Sequence, residues 1–274
     1  MSVWVWHILC VLRNCNGEYL QSPRSRLLQG ESMFPIRDNN PTLKKPIVTW
    51  IIIGINCFIW GAVQRFGAHP FLIKSICNFG LIPGELLGTA APGTIIPVSR
   101  TFGCMIGESP NWSTLFSSMF LHAGWLHIIS NMWFLWIFGD NVEDAFGRFK
   151  FILVYLLSGL IAAAAQLTIT PSSVVPMVGA SGAIGGVMGA YAILYPRAKI
   201  EILIFLGFYV ARIDIPAIFV LGYWFMLQLF SALPTIGMDG GGGVAFWAHI
   251  GGFLMGIATV NFFRVRPRPR RKWQ

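Results

Sequence analysis

One serine and one histidine of this chain lie in apolar, glycine-rich segments without a charged residue. Ser181 lies in "MVGASGAIGGVMGAYAILY" (residues 177–195), and His249 lies in "AFWAHIGGFLMG" (residues 245–256). A serine hydroxyl becomes a nucleophile when a neighbouring base removes its proton, and a neutral imidazole is such a base. The two residue types therefore indicate nucleophilic catalysis if the fold brings them together.

Small residues recur along both segments at helical spacing, on the face that carries the polar side chain. Because small residues at this spacing let two helices approach closely in lipid, we expect the two faces to bring Ser181 and His249 to one level. A single serine usually bonds to its own helical turn, and a single histidine often makes one interhelical bond. Neither residue alone therefore indicates catalysis, whereas the two at one level do. The faces consist of Ser181, Gly185 and Gly189 in the first segment and of His249, Gly252 and Gly256 in the second.

The other parts of a catalytic site are expected on a third apolar segment, "FLHAGWLHIISNMWFLWIF" (residues 120–138). His127 and Asn131 are four residues apart and share a helix face, and both can donate a hydrogen bond to an oxyanion. The backbone N–H of Ser181, at an uncapped helix start, is a third donor. No carboxylate is placed to orient His249, so the sequence predicts a Ser–His dyad rather than a triad.

The composition places these segments in a membrane. Of the 274 residues, 55% are hydrophobic and 11% are charged, whereas a soluble domain has about 25% charged residues. Apolar windows of about 20 residues are long enough to cross the hydrocarbon layer as helices. The sequence therefore predicts an all-α membrane protein, a bundle of six transmembrane helices at residues 46–64, 115–138, 151–169, 180–195, 216–234 and 245–263.

Basic residues flank the predicted spans unevenly and give a net charge of +9. Lys44 and Lys45 precede the first span, and the tail "RVRPRPRRKWQ" follows the last, which predicts that both termini are cytoplasmic. We expect an inner or plasma membrane, with the basic groups contacting lipid and not nucleic acid. Residues 1–44 are predicted to be a cytoplasmic extension, in which residues 1–32 are either disordered or the result of an upstream start assignment. Residues 45–264 are the predicted membrane domain, and residues 265–274 are a basic tail.

Two connecting segments are expected to lie along the membrane surfaces. Residues 65–111 form a loop too long to be structureless, so we expect an element in the outer interface. Residues 199–214 are expected along the inner surface. Cys77 and Cys104 share the outer loop and would form a disulfide in an oxidising compartment, although two free thiols fit the sequence equally well.

Three motifs, in this order, resemble those of the rhomboid intramembrane serine proteases of the six-span bacterial type. They are "FLHAGWLHIISNMWFLWIFGDNVED" (120–144), "GASGAIGGVMGAY" (179–191) and "AFWAHIGGFLMG" (245–256). The resemblance runs from about residue 33 to about residue 266. It implies hydrolysis of a peptide bond near the outer end of a transmembrane segment, with membrane proteins of one or several spans as substrates and with no metal or cofactor. Nothing in the sequence specifies an oligomeric state.

The resemblance also implies roles for individual residues. Ser181 and His249 are the expected catalytic dyad, with His127, Asn131 and the Ser181 N–H at the oxyanion hole. His122 matches a further motif histidine beside a water-accessible cavity. The fifth span is expected to control substrate access. The residues expected to surround the nucleophile are Gly179, Ala180 and Gly185.

Two positions depart from the family pattern. Many rhomboid proteases carry an aromatic residue one turn after the nucleophile, where it stacks on the base, but this chain has Gly185 there. A tryptophan–arginine pair of the first loop corresponds to Trp112 and Ser113, so the arginine is missing. Neither departure removes a reacting group.

Two other functions compete with proteolysis. A non-catalytic rhomboid-like protein that binds membrane helices would have lost Ser181 or His249, and this chain keeps both. A metal site or proton relay could use the histidines. However, the five-residue spacing of His122 and His127 turns them about 140° apart on a helix, away from one centre.

Overall fold

The structure is a computed structural model that describes residues 31–98, 102–206, 209–236, 244–263 and 265. The longer helices are α1 (Ile47–Ala62), α2 (Phe71–Phe79), α3 (Trp125–Phe146), α4 (Arg148–Ile169), α5 (Ser181–Leu194), α6 (Ala217–Ala232) and α7 (Phe246–Phe262). The strands are β1 (Glu31–Asp38), β2 (Ile95–Pro97), β3 (Gly103–Met105), β4 (Lys199–Leu206) and β5 (Tyr209–Pro216). The expected extension up to residue 30 and the basic tail from residue 266 onward lie outside the described residues.

Five of the predicted apolar segments coincide closely with helices. The ends of α1, α4, α5, α6 and α7 lie within about three residues of the predicted ends, because uncharged runs bounded by polar or turn-forming residues define them. Within the described residues, Arg148–Ile169 and Ala217–Thr235 are long and apolar enough to cross a membrane. The helices α1, α5 and α7 are apolar but shorter.

The predicted second span is wrong in position. The helix α3 begins at Trp125, after short turns, and continues to Phe146 through charged residues that the prediction assigned to a loop. Glu143 is buried, and its carboxylate accepts hydrogen bonds from the N–H groups of Val48 and Thr49 and from the Thr49 hydroxyl. These bonds satisfy the buried charge and the first N–H groups of α1, and they fix α3 against α1.

The prediction of an all-α chain is wrong in part, because the chain also forms two small antiparallel sheets. In the larger sheet, β4 lies between β1 and β5. Ile200 and Ile202 of β4 are buried against the helices, and Arg37 of β1 contacts Glu201 of β4. The segment expected along the inner surface, residues 199–214, therefore contributes the paired strands β4 and β5. Residues 31–38, expected in the extension, belong to the folded body.

The helices α5 and α7 meet along a seam of glycines. A β-carbon added to Gly252 of α7 would lie 2.9 Å from the carbonyl carbon of Gly182 in α5 and closer still to its oxygen. A β-carbon added to Gly256 would lie 2.7 Å from the Cα atom of Gly186. Any side chain at these positions would push the two helices apart. The predicted glycine faces therefore do contact each other.

The loop between α1 and α3 folds against the segment that leads into α5. Leu81 and Met177 exchange two backbone hydrogen bonds. Cys77 of α2 and Cys104 of β3 form a disulfide, which closes the loop on itself. This pairing is the one that the sequence predicted for an oxidising compartment. The loop therefore holds the backbone immediately before Ser181 in place.

Candidate active site

Ser181 and His249 lie near the starts of α5 and α7 and contact each other. The distance between Ser181 Oγ and His249 Nε2 is 2.8 Å. Ser181 is the first residue of α5, after the N-cap residue Ala180, so its hydroxyl lies at the positive end of the helix dipole. His249 is buried and Ser181 is half-buried. A hydroxyl within hydrogen-bond reach of an imidazole is the first geometric requirement for a nucleophile and its base.

His127 lies beside the nucleophile, and Gly179 keeps the space between them open. A β-carbon added to Gly179 would lie 2.7 Å from His127 Nε2 and 3.6 Å from Ser181 Oγ. The φ angle of Gly179 is +128°, which L side chains rarely adopt. The N–H of Ala123 donates to Nδ1 of His127 at 3.3 Å, so the neutral ring carries its proton on Nε2, which faces this space. A carbonyl group in this space would have a donor beside its oxygen and the nucleophile beside its carbon.

Asn131 and His122 support His127. Asn131 lies one turn further along α3, and its Nδ2 donates to the His127 carbonyl oxygen at 2.9 Å. The ring of His122 meets the ring of His127 edge-on, with 5.1 Å between the centroids. His122 is fully buried, and the side chain of Gln64 bonds to both its backbone N–H and its carbonyl oxygen.

The ring of His249 is held by two side chains of α6 that were not predicted from the sequence. Gln228 is buried, and its Oε1 lies 2.8 Å from His249 Nδ1. Trp224, one turn earlier, has its ring centroid 5.8 Å from that of His249, with an angle of 39° between the planes. Trp224 also packs on Phe253, one turn after His249. The only sequence signal was an indole and an amide spaced four residues apart in an otherwise apolar helix.

The missing aromatic residue at position 185 has a physical explanation. A β-carbon added to Gly185 would lie 3.2 Å from the carbonyl oxygen of His249 and 3.7 Å from the Trp224 ring. The close approach of α5 and α7 therefore leaves little room for a large side chain on α5. The ring of His249 is supported instead from α6, by Trp224.

The assembled groups are those of acyl transfer: a hydroxyl, a base bonded to it, and donors around a space beside the hydroxyl. Among the described residues, no group of three or more His, Cys, Asp or Glu side chains is placed to hold a metal ion.

A family model described as the rhomboid domain matches residues 109–266, which is more than half of the chain. The chain belongs to the rhomboid family. The matched residues include α3 to α7 and hence Ser181, His249, His127 and Asn131. As a rhomboid, this chain is a membrane protein.

Several curated relatives are similar to this rhomboid over part of their length. It is 30% identical over 162 residues to Rhomboid-like protein 11, chloroplastic, of Arabidopsis thaliana (55% of this chain, 52% of that protein). It is 28% identical over 154 residues to Rhomboid protein 1, mitochondrial, of Saccharomyces cerevisiae (53% and 40%). It is 32% identical over 103 residues to Rhomboid protease GluP of Bacillus subtilis (38% and 20%). The chain thus spans about half or less of the length of these relatives.

Proposed function

We propose that this rhomboid is an intramembrane serine endopeptidase, which cleaves transmembrane segments of membrane proteins near the outer face of the membrane. The observation that carries the proposal is the 2.8 Å distance between Ser181 Oγ and His249 Nε2, at the starts of two apolar helices. The Bacillus subtilis relative is named a rhomboid protease, which agrees with the proposal.

In the proposed reaction, His249 Nε2 accepts the proton of the Ser181 hydroxyl while Oγ attacks the carbonyl carbon of the scissile peptide bond. The carbonyl oxygen becomes an oxyanion in the space beside Gly179, where His127 Nε2 and the Ser181 N–H donate to it. The imidazolium then gives its proton to the leaving amine, and an ester forms on Ser181. Water, deprotonated by His249, hydrolyses the ester and restores the hydroxyl.

We further propose that α1 and α3 to α7 cross the membrane, so that both termini lie on the cytoplasmic side of an inner or plasma membrane. The disulfide between Cys77 and Cys104 supports this, because the outer loop would then face an oxidising space. Ser181 and His249 would lie just below the outer surface. A substrate helix must unwind to expose a carbonyl group there, so we expect small or helix-breaking residues near the cleaved bond.

The test is cleavage of a single-span reporter by the purified full-length protein in liposomes. The wild-type protein should release a product cut near the outer end of the span, and Ser181→Ala and His249→Ala should each abolish the product. Ser158→Ala is the matched control. The hydroxyl of Ser158 in α4 is buried and has no hydrogen-bond partner among the described residues, so its loss should leave cleavage unchanged. Binding of the reporter without cleavage by the wild type would instead indicate a non-catalytic rhomboid-like protein.

A further inference from the structure

The base of the dyad has a polar partner on its far side. Oε1 of Gln228 lies 2.8 Å from Nδ1 of His249, while Nε2 of His249 lies 2.8 Å from Ser181 Oγ. Gln228 is 1% exposed, so water does not compete for this bond. The three side chains form a continuous hydrogen-bonded series across α6, α7 and α5, in the order amide, imidazole, hydroxyl.

The direction of each hydrogen bond follows from the second contact of the amide. Nε2 of Gln228 donates to the carbonyl oxygen of Trp224 at 3.4 Å, one turn back in the same helix. A flipped amide would place two oxygen atoms against each other, so Oε1 must face His249. Because Oε1 can only accept, Nδ1 of His249 carries the proton, and Nε2 keeps its lone pair for the Ser181 hydroxyl.

We propose that Gln228 is a positioning residue of the dyad, which fixes His249 in the tautomer and orientation that let Nε2 accept the serine proton. A carboxylate has this role in a Ser–His–Asp triad. The neutral amide supplies the acceptor without burying a second charge, whose desolvation at this depth would be costly. The role of His249 as a general base rests on the proposed function, whereas the tautomer of its ring does not depend on that function.

The ring of Trp224, which is tilted by 39° against the ring of His249, assists the same role. Its backbone carbonyl oxygen accepts a hydrogen bond from the amide of Gln228, and its indole packs against the His249 ring. Both contacts come from one turn of α6. The amide therefore fixes the orientation of the His249 ring within its plane, and the indole opposes rotation of the ring out of that plane.

The first experiment measures the tautomer directly. The full-length protein, labelled with 15N in its five histidines, is examined by NMR in lipid, and the signals of His249 are those lost in His249→Ala. We expect the one-bond N–H coupling at Nδ1 and an unprotonated Nε2. A proton on Nε2 of the neutral ring would overturn the proposal, whether or not the protein cleaves any substrate.

The second experiment compares two substitutions of Gln228. Gln228→Met keeps the length of the side chain but removes the acceptor, whereas Gln228→Glu keeps an acceptor at the same reach. We expect Gln228→Met to lower kcat at least about tenfold with little change in KM. This loss is a part of the rate acceleration that a general base contributes. The rate at which a fluorophosphonate labels Ser181 should fall by a similar factor, and Gln228→Glu should recover much of the loss.

The outcomes separate this inference from the proposed function. If the wild type cleaves and Ser181→Ala does not, but Gln228→Met retains the wild-type kcat and labelling rate, the positioning role is wrong and the dyad stands. A lower melting temperature for Gln228→Met with unchanged kcat means a structural role only, which also contradicts the inference. If Gln228→Met does not fold, the NMR measurement on the wild type still decides.

Discussion

The substitution Gly252→Ala should break the hydrogen bond between His249 and Ser181 without removing either side chain. The added methyl group would lie 2.9 Å from the carbonyl carbon of Gly182 and closer still to its oxygen, and backbone atoms cannot rotate away. Ordinary contact begins near 3.4 Å, so α5 and α7 must separate by at least about 1 Å. Gly182 follows Ser181 directly, and Gly252 lies one turn after His249, so the separation acts at the level of the dyad.

The consequence for catalysis follows from the geometry. The contact between Ser181 Oγ and His249 Nε2 is 2.8 Å long, and a separation of this size stretches it beyond hydrogen-bond range. A displacement of about 1 Å at a reacting group can cost about a hundredfold in rate. We therefore expect Gly252→Ala to lower kcat for the single-span reporter at least about a hundredfold while the protein remains folded in lipid.

Gly54→Ala is the matched control for this prediction. Gly54 lies in α1, and a β-carbon there would meet nothing within 4 Å. The same substitution should leave kcat within about twofold and should raise stability by about 0.5–1 kcal/mol, because alanine is the better helix former. If Gly252→Ala cleaved the reporter at more than a third of the wild-type rate, or if Gly54→Ala lost as much activity, the account of the glycine seam would be refuted.

Four further predictions follow from the same contacts. His127→Ala should lower kcat about a hundredfold with little effect on KM in the liposome assay, because an oxyanion donor acts in the transition state; an unchanged kcat would remove His127 from the site. Glu143→Ala should lower the free energy of unfolding by at least about 3 kcal/mol, measured by denaturation in detergent, because three buried donors at the start of α1 lose their acceptor. Cys77→Ser, which opens the disulfide, should cost about 3 kcal/mol in the same measurement, whereas Cys57→Ser, at a free and exposed thiol, should cost nothing; equal effects would contradict the role of the disulfide. EDTA should leave the rate of reporter cleavage unchanged, since the proposed chemistry needs only side chains.

The apolar helices were predictable because long uncharged runs form few structures other than helices. The ends of α1 and α7 fall within two residues of the predicted ends, since a change in charge or polarity marks each one. The helix α3 was misplaced by the same reasoning. Its last two turns contain Asp140, Glu143 and Asp144. Glu143 and Asp144 are buried because their carboxylates accept hydrogen bonds from backbone N–H groups at and before the start of α1, and these tertiary contacts cannot be predicted from the sequence.

The paired strands β4 and β5 were missed although part of their signal was present. Arg212 and Asp214 alternate with Ile213 and Ile215 along β5, which is the period of a strand. The apolar content of residues 199–214 predicted only a position along the inner surface. The strand β1 has weaker alternation, and its structure depends on pairing with β4, more than 160 residues away along the chain.

The candidate site was predictable only where its residues repeat at helical spacing. The glycine faces of α5 and α7 indicated that Ser181 and His249 would meet, and the two side chains do lie in contact. Gln228 and Trp224 have no spacing relation to His249, because they reach it from a third helix. Their contacts with the ring depend on how α6 packs against α7, which no pattern within α6 contains.

Ser181 is proposed to be a nucleophile that His249 activates. This role is tested most directly by labelling the full-length protein in liposomes with a fluorophosphonate, followed by mass spectrometry of the labelled peptide. We expect a single covalent adduct on Ser181, which is lost in His249→Ala and retained in Ser158→Ala. An adduct on another residue, or equal labelling of Ser181 in the absence of His249, would contradict it.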